Sequence, residues 1–183
     1  MGFFVNPACP MKKIIALLSL LPLLSCSTPE GVVESFYDSG QLEMRTTYID
    51  GYKKFKVETF SKNGNLKAVA DWKDNQMNGD YLDYHENGKL RTKTTMIDNK
   101  MNGKIETYYE NGKIESSGNI KDDAYEGEVT LFPEDKKLEY AYTTAVYKKG
   151  KANGLNISYK QDGTEHSRRC FLKDKEVRLD LCG

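Results

Sequence analysis

The chain repeats itself with a pitch of 24 residues, and that pitch limits what it can fold into. Rows laid out at this pitch begin at Phe36, Phe60, Tyr84, Tyr108 and Phe132, and a sixth begins at Tyr159 after a three-residue insertion. Shortly after each start lies a turn dipeptide: Ser39-Gly40, Asn63-Gly64, Asn87-Gly88, Asn111-Gly112, Asp135-Lys136 and Asp162-Gly163. Asn-Gly is the strongest short-range hairpin signal, because both central residues of a type I′ turn need positive φ. Apolar columns run down the rows: Leu42, Leu66, Leu90, Ile114 and Leu138, then Tyr48, Trp72, Met96 and Ile120, then Val57, Tyr81, Ile105 and Val129. A second glycine column holds Gly79, Gly103, Gly127 and, past the insertion, Gly154. The first row carries Phe55 in that column and is atypical, as a terminal repeat often is.

Within a row the apolar period is two. Leu90, Thr92, Thr94 and Met96 alternate with Arg91, Lys93 and Thr95, which is strand spacing. No stretch after residue 26 keeps the i, i+3, i+4, i+7 pattern of an amphipathic helix. Each row therefore reads as a β-hairpin with a tight Asn-Gly turn, followed by a looser Asp/Asn-rich connection such as Asp98-Asn99-Lys100-Met101-Asn102. One hairpin cannot bury its apolar face alone, whereas a stack of them can. The expected fold is all-β: an elongated, twisted antiparallel β-meander of about six hairpin repeats. The glycines are read as backbone necessities of turns and close approaches, at Gly40, Gly64, Gly88, Gly112 and Gly163 in the tips and at Gly79, Gly103, Gly127 and Gly154 in the second column. The aromatic columns become cross-strand ladders, each pair worth about 0.2–1 kcal/mol.

Tyr84-His85-Glu86-Asn87-Gly88-Lys89-Leu90 and Tyr108-Tyr109-Glu110-Asn111-Gly112-Lys113-Ile114, preceded by Asn78-Gly79 and Asn102-Gly103, resemble the MORN-repeat variant, whose pattern is roughly Gly-x-x-x-x-Tyr-x-x-Asn-Gly-x-Leu. The same repeat defines the YwqK-type family of proposed antitoxins. The resemblance runs from Phe36 to about Arg169, is strongest in rows two to four, and departs most in row five, at Phe132-Pro133-Glu134-Asp135-Lys136-Lys137. There the insertion is placed between Leu138 and Gly154. The resemblance implies a binding or scaffold role without catalysis, and it specifies no ligand.

The N-terminus reads as an address. Met11-Lys12-Lys13, the apolar run from Ile14 to Leu24, then Ser25-Cys26 have the layout of a secretory signal, too short for a membrane-spanning helix of about 20 residues. Leu23-Leu24-Ser25-Cys26 resembles the bacterial lipobox, which implies cleavage before Cys26 and lipidation of Cys26. Several acyl chains give stable anchoring where one does not. Residues 1–25 are read as signal peptide, with 1–10 as a candidate upstream extension, 26–35 as a lipidated N-terminus and tether, and 36–183 as the repeat domain with a C-terminal cap. Ser27 after the Cys, where retained lipoproteins of enteric bacteria carry Asp, points to the outer membrane or cell surface.

The whole chain has 27 Lys+Arg against 27 Asp+Glu. Losing Lys12 and Lys13 with the leader leaves 25 − 27 = −2. That balance argues against nucleic acid as a partner. Cys170 and Cys182 are candidates for a disulfide in an exported chain, with two free thiols as the alternative. Two His cannot with scattered acids make a recognisable metal or catalytic set, so no metal, cofactor or small-molecule substrate is expected. The Asp122–Glu128 acidic cluster lacks the alternation of a calcium loop. The expected function is a non-catalytic, lipid-anchored envelope module that binds a protein. Alternatives are an immunity protein that neutralises a toxin by binding, and a cell-wall carbohydrate-binding module, which would ordinarily need more tryptophan than Trp72.

Overall fold

The computed structural model describes residues 30–135 and 137–182. The expected leader, the expected lipidation site at Cys26 and Lys136 of the row-five turn lie outside them. The described residues form one antiparallel meander: β1 (Gly31–Phe36), β2 (Leu42–Asp50), β3 (Lys54–Phe60), β4 (Leu66–Lys73), β5 (Gln76–Tyr84), β6 (Leu90–Ile97), β7 (Lys100–Tyr108), β8 (Ile114–Lys121), β9 (Ala124–Tyr125), β10 (Gly127–Leu131), β11 (Tyr142–Lys148), β12 (Lys151–Tyr159), β13 (Glu165–Leu172) and β14 (Lys175–Val177). Neighbours in sequence are neighbours in the sheet, except that β8 pairs with both the short β9 and β10. The sheet is open. Its first strand begins at Gly31, inside the stretch 26–35 that the sequence reading gave to the tether, and ends at Phe36.

The two turn classes are the reverse of the sequence expectation. The tight type I′ turns are the Asp/Asn-rich links. Asp74 and Asn75 have φ of 49° and 63°, Asp98 and Asn99 49° and 66°, and Asp122 and Asp123 49° and 66°. Only two residues separate β4 from β5 and β6 from β7. Lys149-Gly150 and Lys173-Asp174 take the same shape. At the Asn-Gly tips only the glycine has positive φ, between 80° and 87° for Gly40, Gly64, Gly88, Gly112 and Gly163. There the amide of Gly88 donates to the His85 carbonyl at 2.9 Å, and that of His85 to the Lys89 carbonyl at 2.8 Å. This is a type I turn closed by a left-handed glycine. The Asn serves through its side chain: Asn87 Oδ1 accepts from the Lys89 amide at 3.0 Å, and Asn111 Oδ1 from the Lys113 amide at 2.8 Å. An Asp can do the same, and Asp135 and Asp162 do so toward Lys137 and Thr164, at 2.8 and 2.9 Å.

An aromatic–aliphatic pair stands at the base of four tips: Phe36 with Leu42, Phe60 with Leu66, Tyr84 with Leu90 and Tyr108 with Ile114. In row five Asp135 keeps toward Lys137 the turn contact that Asn111 makes with Lys113, so the extra residues fall between Lys137 and β11, at the start of the stretch from Leu138 to Gly154. Leu138 is therefore carried out of its column and is exposed, while Phe132 packs on Tyr142 with ring centroids 6.2 Å apart.

Burial alternates along the strands. In β6, Thr94 and Met96 are buried while Arg91, Lys93 and Thr95 are exposed. Cross-strand pairing puts Met96, Ile105, Ile120, Val129 and Ala145 on one face with Thr46, Ala70, Thr94, Ser116 and Ser158. No second layer covers that face among the described residues, so the sheet must curve over it. Small side chains along its middle permit the bend, and the glycine column drives it. Asp71 stands opposite the extra residues around Gly79, Thr94 opposite those around Gly103, and Val146 opposite those around Gly154, so each is a β-bulge. Row one lacks the glycine and lacks this bulge. Phe55 pairs in register with Trp72, stacks on it at 5.7 Å with planes 10° apart, and meets Tyr48 on its other side at 5.7 Å. The C-terminal end is closed by the Cys170–Cys182 disulfide, with a 3-10 helix at Leu179–Leu181. Cys170 is fully buried.

Candidate functional site

Each repeat is bolted to the next by side chains that recur at the repeat spacing. At the Asn-Gly tips, Tyr37 Oη donates to the Phe60 carbonyl at 2.7 Å, His85 Nε2 to the Tyr108 carbonyl at 2.6 Å, and Tyr109 Oη to the Phe132 carbonyl at 2.7 Å. These three residues occupy one column, so His85 is a structural member of it. Ser61 stands in the same column, is too short to cross, and bonds the Asn65 carbonyl of its own turn at 3.0 Å. The tip asparagines also reach forward: Asn87 Nδ2 donates to the Glu110 carbonyl at 2.8 Å and Asn111 Nδ2 to Glu134 Oε1 at 2.9 Å.

The type I′ tips are stitched by a different device. Asn99 Oδ1 accepts from the Met77 amide at 2.8 Å, and the Asn99 amide donates to the Met77 carbonyl at 3.1 Å. Asp123 repeats both contacts with Met101, and Asp174 with Ala152. The acidic cluster at Asp122–Glu128 is thus joinery: Asp123 holds row three, and Glu126 Oε2 accepts from the Lys149 amide at 2.8 Å. Among the described residues no three His, Cys, Asp or Glu side chains come together as a metal site. His166 lies 3.7 Å from Glu139 and stacks on Tyr140, and Cys170 and Cys182 are held by each other.

The faces that remain for function are the outer face and the ends of the sheet. On the outer face, a shallow groove of about 620 Å³ runs across β5, β6 and β7. Leu82, Tyr84 and Leu90 line it with Lys93, Lys104 and Glu106. Lys104 Nζ approaches Glu106 Oε1 to 2.8 Å, and Tyr108 Oη donates to Glu106 Oε2 at 2.9 Å. Those hydrogen bonds hold the Glu106 carboxyl below the usual carboxylate range. Burial, followed by the bond to Glu106, pushes the Tyr108 phenol up. Arg91 closes on Asp83 beside the groove. Nothing in the repeat pattern marked this groove. It arises from the strand register, which aligns a Leu, a Tyr and two Lys from three strands on one face. At the N-terminal end Val32, Val33, Phe36, Ile49 and Tyr52 are exposed, divided between the two faces and the two ends of the β1–β2 pair. No helix among the described residues is long and apolar enough to cross a membrane.

A comparison with curated proteins finds no match. The family model described as the MORN repeat variant matches residues 29–50, 77–98 and 101–122. In all three segments the third residue is a glycine of positive φ, Gly31, Gly79 or Gly103, and the skipped segment between the first two carries Phe55 at the corresponding place. Over these three segments the sequence is similar to the MORN repeat variant, and the described residues fold as an open β-hairpin array.

Proposed function

We propose that this is a lipid-anchored protein of the bacterial envelope, tethered through Cys26, that works as a non-catalytic scaffold or binding module for another protein. The observation that carries the reading is the open outer face. One face of the sheet is spent on self-burial, while the other presents a shallow, mixed apolar and charged groove across three strands. Small-molecule sites are enclosed and bury most of their ligand. A shallow surface with aromatic and aliphatic anchors inside a polar rim suits a protein partner. The tether is short, because the first strand begins at Gly31, so the array stands close to the membrane surface. An immunity role against a toxin acting outside the cytoplasm is the second reading, and it uses the same face. A cell-wall carbohydrate reader gains less support, since the one tryptophan is stacked against Phe55.

The test is in-cell crosslinking. A photoreactive residue replacing Leu82 should give one discrete adduct in intact cells, lost when Lys93 and Lys104 are both changed to Glu. Folded protein that yields no adduct, or the same adduct with the groove charges reversed, would overturn the reading. Relief of toxicity on co-expression with a toxin encoded beside it would select the immunity variant.

A further inference from the structure

The repeat pitch gives a role to the one sheet edge that is left open. Gly31 occupies the column of Gly79, Gly103 and Gly127, and shares their positive φ, at 84° against 125°, 95° and 84°. In the rows of Gly79 and Gly103 the bulge faces the preceding strand, β4 for Gly79 and β6 for Gly103. Yet β1 pairs only with β2 among the described residues. Gly31 thus has the backbone of an interior strand, while among the described residues the outer edge of β1 has no neighbour. The pitch would put residues 18–26 there, one row before β2. That stretch includes Pro22, which cannot donate to a ladder, and in the sequence reading it is removed up to Cys26.

The two ends of the sheet are unlike. The C-terminal edge is blunted: β14 has three residues, is flanked by Lys173 and Arg178, and is followed by the 3-10 helix and the disulfide. β1 has six residues and no Lys or Pro. Its single charge, Glu34, is taken up by Arg45 of β2 at 2.8 Å on the outer face. Val32, Val33 and Phe36 are 57%, 52% and 56% exposed. Proteins ordinarily protect such an edge against pairing with another chain.

We infer that β1 pairs antiparallel with β1 of a second copy, joining two arrays into one continuous sheet about a two-fold axis. This goes beyond the scaffold reading and rests on one part of it, cleavage before Cys26. The register follows from full overlap of the six-residue strand, which centres the axis near Val33 and Glu34, and from side-chain parity. Residues opposite one another across an antiparallel pair lie on one face, so the axis must pass through a residue and not between two. An axis at Glu34 sets two carboxylates face to face, which is unfavourable. An axis at Val33 sets Val33 against its twin and Val32 against Glu34 of the second copy. Both tethers then leave from the seam. Residues 26–30 reach at most about 17 Å when extended, so both Cys26 anchors stay close to it.

The experiment is sedimentation of the full exported chain in detergent, with mass read across a dilution series. The wild type should be a dimer. Val33→Lys, which opposes two ammonium groups at the seam, should weaken dimerisation at least tenfold. Ile49→Lys, which removes an equally exposed aliphatic side chain away from the edge, should leave it unchanged. Val33→Cys should form a covalent dimer on mild oxidation, and Ile49→Cys should not. Val33 is exposed, so far-UV circular dichroism should show both Val33 variants folded; should Val33→Lys fail to fold, the Cys pair decides alone. A monomer at every concentration, or a dimer that ignores Val33→Lys and does not crosslink at 33, would overturn the inference. A monomer that still yields the Leu82 adduct would overturn the dimer and leave the scaffold reading standing.

Discussion

The glycine column offers a comparison in which two positions share a backbone role and differ in crowding. A Cβ built on Gly79 would lie 2.8 Å from Asp71 Cβ and 3.1 Å from Asp71 Oδ2, whereas a Cβ on Gly103 meets nothing within 4 Å. Both residues have positive φ, at 125° and 95°. Gly103→Ala therefore carries the backbone cost alone, about 1–2 kcal/mol. Gly79→Ala carries that cost and a clash with an atom fixed to the opposite backbone, which adds about 1–3 kcal/mol. The expected losses are about 1–2 kcal/mol for Gly103→Ala and about 2–5 kcal/mol for Gly79→Ala. Urea titration followed by circular dichroism and by Trp72 fluorescence measures both, and agreement of the two probes establishes that the array unfolds as a unit. Asp71→Gly removes the opposing Cβ. In that background Gly79→Ala should meet no clash and cost no more than Gly103→Ala. Equal losses for the two single variants, or no coupling between positions 71 and 79, would refute the close approach as the reason for the glycine.

Four further outcomes follow. Asn87→Asp keeps the turn acceptor and loses the amide that reaches Glu110, so it should cost about 0.5–1.5 kcal/mol, and Asn87→Ala should cost more, both by denaturant titration. Tyr109→Phe removes one inter-repeat bond and should cost a similar amount, whereas Ser61→Ala, in the same column, breaks no inter-repeat bond and should cost less. Reduction of the Cys170–Cys182 bridge, or Cys182→Ser, should destabilise by about 3 kcal/mol and raise amide exchange first in β13 and β14. Glu106 is held below its ordinary pKa, so its contribution is present above the unfolded value and fades as pH falls through the lowered folded value. A Glu106→Gln variant should show a shallower acid limb in a stability–pH series, by a small amount because the site faces solvent.

The fold was legible because the pattern repeats. A single hairpin motif could be chance, but the apolar columns and two glycine columns recur at one pitch and define the strands, their alternation and their order. Turn chemistry was harder. Asn-Gly and Asp-Asn both populate left-handed backbone, and dipeptide identity cannot tell a type I′ turn from a type I turn closed by glycine. The deciding feature was the spacing of the strand ends: two residues between Lys73 and Gln76, and the longer span from Phe60 to Leu66. The row-five insertion was legible only as a broad stretch, because Leu138 keeps an apolar identity while the chain carries it out into a loop. The inter-repeat bonds of Tyr37, His85 and Tyr109 form a visible column in the alignment, and their partners are main-chain carbonyls that leave no mark in sequence. The groove was invisible for the same reason, since it depends on which residues of three strands share a face.

Crosslinking at Leu82 in intact cells tests the central claim most directly, because the open outer face is the binding surface we propose. The account predicts a single adduct at the membrane fraction, the same protein in independent preparations, lost on reversing Lys93 and Lys104 and unaffected by Lys149→Glu at a distant tip. An adduct pattern that is absent with folded protein, or diffuse and indifferent to the groove charges, would contradict it.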